Sequence, residues 1–179
     1  MREHVVIEAI RAWVENVVVD LNLCPFAKRE LVRERIRFSV TAASSAFDLL
    51  SSLSDELDLI STDDSIGTTL LIHPDALTDF HDYLDFLTVA ENVVAEKDLE
   101  GIIQIASFHP DYQFAGTTPD DASNYTNRSP YPLLHLIREA DVEEAVQRHP
   151  DVEGIPERNI RLIHELGVDH MRRLLAGEL

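Results

Sequence analysis

Hydrophobic residues recur along this chain with two distinct periods. Over residues 4–21, Val6, Ile10, Trp13, Val14, Val17 and Leu21 fall at helical spacing and predict one amphipathic helix. Pro25 suits a first helical position, so a second, shorter helix is expected to run to about Glu34. IRFSV, residues 36–40, alternates apolar and polar as a half-exposed strand does. Residues 45–60 are expected to be helical, with Phe47, Leu50, Leu53, Leu57 and Ile60 on one side. After the turn cluster STDDSIG, the β-branched apolar run 68–73 predicts a buried strand that Pro74 ends. Residues 75–97 predict the longest helix, with Leu77, Phe80, Leu84, Leu87, Ala90 and Val94 as its stripe. Gly101 punctuates, and 102–108 reads as another buried strand stopped by Pro110.

Strand, helix, strand, helix, strand implies two right-handed crossover units. The expected class is α/β (or α+β), with a small three-stranded parallel or mixed sheet, its polar first strand at an edge and its two apolar strands inside. A ferredoxin-like antiparallel arrangement is left open by three strands. Beyond residue 110 the periodicity stops, and 111–131 reads as a long ordered loop, a feature often tied to function. Short helices are then expected over 130–140, capped by Ser129, over 142–149, over 156–166 and over 168–176. No linker, low-complexity tract or repeat divides the 179 residues, so one domain is expected.

Composition narrows the function classes. A 45% hydrophobic chain can bury a sizeable core. No apolar run reaches spanning length and the N-terminal segment lacks signal-peptide character, so a cytoplasmic protein without membrane contact is expected. The single cysteine, Cys24, agrees with that, since it can form no internal disulfide. A net charge of −18 argues against a nucleic-acid surface. The imbalance is local. Residues 48–100 hold fourteen Asp/Glu against Lys97 alone, which reads as solvated helix surface, whereas 28–37 hold five basic against two acidic residues.

Candidate chemistry concentrates late in the chain. His-Pro-Asp occurs at 73–75, 109–111 and 149–151, and the first two copies follow the buried strands. Parallel neighbours would bring His73 and His109 together at the carboxyl edge, where open α/β sheets place ligands. Asp111, Tyr112 and Gly116 continue that loop, with Thr118 and Asp121 as a local capping pair. In 121-DASNYTNRSPYPLLH-135, Asn124 and Asn127 suit unusual backbone angles. Arg128, just before a helix start, suits a carboxylate or phosphate. Tyr125 and Tyr131 offer contact area. On the expected helix, His135 and Glu139 share a face with Arg138 nearby, a spacing that can bind a metal or relay a proton. Cys24, ahead of Pro25, either caps the second helix as a reactive thiol or is a small buried hydrophobe.

LNLCPFAKREL, TTLLIHP, QIASFHPDYQFAGT, DDASNYTNRSPYPLLHLIREA and IPERNI resemble the signature segments of an uncharacterised bacterial family, domain of unknown function 1415. The resemblance spans nearly the whole chain and implies one complete domain, with no activity or catalytic residue to carry over. The residues therefore supply the expectation: an enzyme acting on a small anionic substrate by hydrolysis or group transfer. His109, His135 and Asp111 would be catalytic, and Arg128, Asn124, Asn127, Tyr112, Tyr125 and Arg138 would bind substrate. A divalent metal is compatible with His73, His109 and Glu139. Two alternatives stand beside it: a non-catalytic anion- or protein-binding module, and a purely structural loop network. Substrate, metal and oligomeric state are not encoded legibly.

Overall fold

The computed structural model describes residues 3–148 and 153–178, and the third His-Pro-Asp, 149–151, lies outside them. The chain opens with helix α1 (Glu3–Trp13), which widens without a break into a π-helical segment (Val14–Val19). Helix α2 (Ala27–Val32) leads to strand β1 (Ile36–Val40), helix α3 (Ala46–Thr62), strand β2 (Thr68–Ile72), helix α4 (Phe80–Glu96) and strand β3 (Ile103–Phe108). A long connection carrying a 3₁₀ turn (Ala122–Thr126) reaches strand β4 (Leu133–Arg138). Helices α5 (Glu139–Arg148), α6 (Ile155–Leu166) and α7 (Val168–Leu175) follow.

The sheet has four strands in the order β1-β2-β4-β3, not three. β1 and β2 are parallel, and β4 runs antiparallel to both β2 and β3. The helix expected over 130–140 is therefore a strand for its main part. LLHLIR alternates, and Leu133, Leu134, Leu136 and Ile137 are all buried because β4 is central. It passes directly into α5, whose polar helical sequence follows without a turn and masks the strand. β1 lies at an edge as expected. β3 takes the other edge, because β4 slips between it and β2.

Alternation on four strands gives the sheet two apolar faces. On one, Leu71, Ile103, Leu134 and Leu136 pack against Leu49, Leu53, Leu57 and Ile60 of α3 and Tyr83, Phe86, Ala90 and Val94 of α4. On the other, Leu70, Ile72 and Leu133 pack against Val6, Ile10, Trp13, Val14 and Val17, with Tyr125, Ile163 and Met171 closing the layer. The α3 stripe is rotated from expectation: Phe47 is exposed and Leu49 takes the buried place. α4 begins five residues late. Leu77 stands before it at positive φ (51°), and Asp79 accepts from the amides of His81 and Asp82 to cap the first turn.

The basic decapeptide meets acidic partners. Arg29 bonds Glu30, Asp141 and Glu144, tying α2 to α5. Arg37 on β1 forks onto Glu56 of α3 at 2.8 and 2.9 Å, with Ser39 donating to the same carboxylate. Burial alone would raise the Glu56 carboxyl, yet these donors hold it below its usual range. Arg138, expected to bind substrate, is engaged within the fold. It donates to the carbonyls of Ile60, Asp63 and Ile66, closing the C-terminal end of α3. Arg138→Met should therefore lower unfolding stability by about 2 kcal/mol. Urea denaturation should show a lower midpoint at unchanged slope.

Candidate functional site

His73 and His109 do leave β2 and β3 at the same end of the sheet, as expected. Their strands are not neighbours, because β4 enters between β2 and β3. Both histidines are fully buried around Tyr83, with ring centroids 5.9 and 5.1 Å from its ring. His73 donates Nδ1–H to the carbonyl of Ala76, and its Nε2 lone pair has no partner among the described residues. His109 accepts the Asp111 amide at Nδ1 and donates Nε2–H to Leu77. The two imidazoles thus pin the 76–77 turn. Burial depresses both, His73 to about 4. Asp111 itself is exposed.

The metal set does not assemble. His73 and His109 lie where Leu133 begins β4, and Glu139 follows Arg138 at the strand's other end. The length of β4 separates them, on the order of 20 Å. His135 and Glu139 share no helix face, since His135 is mid-strand. Among the described residues no group of three His, Cys, Asp or Glu is placed to hold a metal ion.

The polar residues of the long connection are engaged with one another. Asn124, fully buried, accepts from the Phe114 amide and the Thr117 hydroxyl and donates to Thr118. Arg128 donates to the carbonyls of Tyr112 (3.1 Å) and Pro119 (2.9 Å), with its guanidinium 4.7 Å above the Tyr125 ring. Asn127 donates to Ser107, linking the connection to β3. Tyr112 packs on Phe80 and Phe114, and Tyr125 is buried in the core. Ser129 caps no helix; its hydroxyl donates to Tyr131 in the turn into β4.

A hollow opens elsewhere, beneath the sheet's second face. It has a volume of about 190 Å³ and is walled by Trp13, Val14, Val18, Phe26, Leu70, Ala106, Phe108 and Ile137, with Cys24, Thr68 and His135 as its polar groups. Two sequence features create it. Ala106 pairs with His135 across β3 and β4, and its short side chain leaves space beside the imidazole. The π-helical segment, whose turn is wider than an α turn, brings Val14 and Val18 into the opposite wall.

His135 is the decisive side chain. Thr68 donates its hydroxyl proton to the Leu136 carbonyl at 2.6 Å, so toward His135 Nε2, 2.7 Å away, it can only accept. Nε2 therefore carries the proton. Nδ1 carries the lone pair, and none of the described residues bonds it. The residue keeps partial accessibility where it borders the hollow. The ring is otherwise enclosed by protein, and burial depresses its pKa to about 4, so it is neutral at pH 7. Cys24 is half-buried, and burial raises its thiol pKa while the amides of Ala27 and Phe26 pull it partway back. Trp13 Nε1–H is buried and unpaired among the described residues, and its ring meets Phe108 edge-on at 5.3 Å.

A second cleft, about 500 Å³, shares Val18, Cys24 and Phe108 with the first. Its outer wall comes from the long connection (Phe114, Thr117, Ser123, Thr126, Asn127) and α6 (Ile155, Pro156, Asn159, Ile160). Of the residues expected to bind or react, His135 and Asn127 border these hollows, as does Cys24, the candidate reactive thiol. The strand alternation of LLHLIR, with a single polar residue among inward positions, was the signal for His135.

The depressed histidines give the fold a defined acid sensitivity. In the unfolded chain each takes up a proton near pH 6.5, whereas in the folded protein His73 and His135 do so near 4. Stability should be fully retained above about pH 6.5 and fall toward pH 4, by up to about 3 kcal/mol per histidine. In urea titrations across this range, His135→Gln should reduce the slope by about 1 kcal/mol per pH unit near pH 5. An unchanged slope would mean that His135 charges freely within the fold.

No curated protein and no solved structure matches the chain. A family model described as protein of unknown function, DUF1415, matches residues 5–173, nearly the whole chain. The match runs from within α1 to within α7 and includes every wall of the hollow, and the chain belongs to this family.

Proposed function

We propose that this protein binds a small, uncharged, largely apolar molecule in the hollow between the sheet and its N-terminal helical layer, oriented by His135 Nδ1. The supporting observation is the imidazole itself: a lone pair with its tautomer set by Thr68, unpaired, beside an otherwise apolar space. Binding sites combine apolar walls with a few placed polar groups in this way. A volume of about 190 Å³ admits one aromatic ring, since apolar cavities of roughly 150 Å³ take up benzene. An uncharged ligand is favoured over an anionic one because, among the described residues, no Lys or Arg lines the space and His135 is neutral. An anion there would lose its hydration without a counter-charge.

A second reading keeps an enzyme. Cys24 and His135 border the same hollow, so sulfur could add to the carbonyl carbon of a bound aldehyde or ketone, the π electron pair moving to oxygen as the thiol proton passes to Nδ1. Both groups are neutral at rest, which suits a proton transfer coupled to attack rather than a standing ion pair.

Phenol and anisole distinguish these ideas from an inert cavity. Phenol can donate to Nδ1, and anisole cannot. Trp13, the only tryptophan, stands in the wall and reports occupancy by its fluorescence. Phenol should bind about 3- to 10-fold more tightly than anisole, the worth of one hydrogen bond. His135→Phe should erase the difference, and Ala106→Leu should abolish both responses without lowering the melting temperature. A protein whose Trp13 emission and melting temperature ignore phenol does not bind in this way. For the enzyme reading, iodoacetamide should alkylate native Cys24 more slowly in His135→Gln; equal rates would remove His135 from thiol chemistry.

A further inference from the structure

The two hollows adjoin at Val18, Cys24 and Phe108, and the outer one asks for a different chemistry from the inner. We infer that they form one bipartite site for an elongated neutral amphiphile: a ring or hydrocarbon head in the inner chamber, an apolar neck past Cys24, and a terminal hydroxyl in the outer cleft. This rests on the ligand pocket proposed above and extends it.

Three observations carry the inference. The first is adjacency, since Val18, Cys24 and Phe108 line both spaces, so only these side chains stand between them. The second is charge. In a protein with 27% charged residues, no described Asp, Glu, Lys or Arg lines either space, so both ends of a ligand meet neutral surroundings. The third is the state of the polar groups. In the inner chamber, His135 Nδ1 offers an unpaired acceptor within an enclosed space. In the outer cleft the hydroxyl protons are already engaged: Thr117 donates to Phe114 and Asn124, Ser123 to Asp121, Thr126 to Ser123 and Asn127. Their lone pairs remain as acceptors, and the amides of Asn127 and Asn159 each use one N–H on a carbonyl and keep a second. A ligand hydroxyl, which both donates and accepts, matches that rim. Among the described residues a carboxylate would meet no cation there, and an ammonium would meet no carboxylate.

Phenol, 4-propylphenol and 4-(3-hydroxypropyl)phenol, with the methyl ether of the last, form a direct test by Trp13 fluorescence and calorimetry. The propyl chain should tighten binding more than about tenfold over phenol. The terminal alcohol should bind several-fold more tightly than its methyl ether. Ile160→Trp, which fills the outer cleft from an exposed position, should return the long ligands to the affinity of phenol and leave phenol unchanged. The hydroxypropyl compound should also slow disulfide formation between Cys24 and methyl methanethiosulfonate at least tenfold. Chain extension without gain, equal effects of Ile160→Trp on all ligands, or an unprotected Cys24 would overturn the bipartite site while phenol binding stood. If phenol itself fails to bind, the inner pocket falls first.

Discussion

A central antiparallel strand must bury both of its faces, and β4 is that strand. Leu134 and Leu136 point into the α3–α4 layer, and Leu133 and Ile137 into the layer beneath the N-terminal helix. The inward position between those last two belongs to His135. A polar ring at the middle of a two-sided sheet is tolerated only with a partner. Thr68 provides one, and because its own proton goes to Leu136, it also decides which nitrogen of the ring holds the proton. The fold's most constrained strand thus sets the chemistry of its hollow.

Insertion of β4 between β2 and β3 has a second consequence. The chain must leave β3 at one end of the sheet and re-enter beside it in the opposite direction. The connection over residues 109–132 does far more than turn a hairpin. Its carbonyls and amides have few sheet partners, so side chains supply them, Asn124 for Phe114 and Thr118 and Arg128 for Tyr112 and Pro119, while Asn127 reaches back to Ser107 on β3. Tyr83 fastens the junction from below, donating to Leu133 while accepting from the Phe108 amide. The dense polar segment is the price of a buried reversal, and its outer face forms one wall of the cleft.

The acidic surface and the neutral hollow are separate parts of the molecule. Most carboxylates of residues 48–100 lie on or beside α3 and α4, which cover the opposite sheet face from the hollow. Among the described residues no helix is long and apolar enough to cross a membrane. The net charge bears on solubility and long-range fields rather than on what the hollow holds.

Local pattern alone determined a good deal. The period-two run 36–40, the continuous apolar runs near 70 and 105 and the helical stripe of α1 report the elements well, whereas the stripes expected on α3 and α4 are displaced, with Phe47 and Leu84 exposed and Leu49, Tyr83 and Phe86 buried. From them follow the α/β class, the polar edge strand and the shared exit of His73 and His109. The tertiary structure alone decided the rest, because strand pairing joins residues distant in sequence. Ala106 meets His135 and Thr68 reaches across to the same ring only once β4 lies between β2 and β3. Read locally, LLHLIREADVEEAV blends six residues of strand into a helix with no punctuation, so the whole stretch reads as helical and sets His135 beside Glu139. Arg128 and Asn124 are legible in the sequence as unusual, yet nothing local shows that their hydrogen bonds are taken. The carbonyls and amides that occupy them belong to residues the loop gathers only when folded. A hollow is the absence of side chains where several elements meet, and no single stretch of sequence records it.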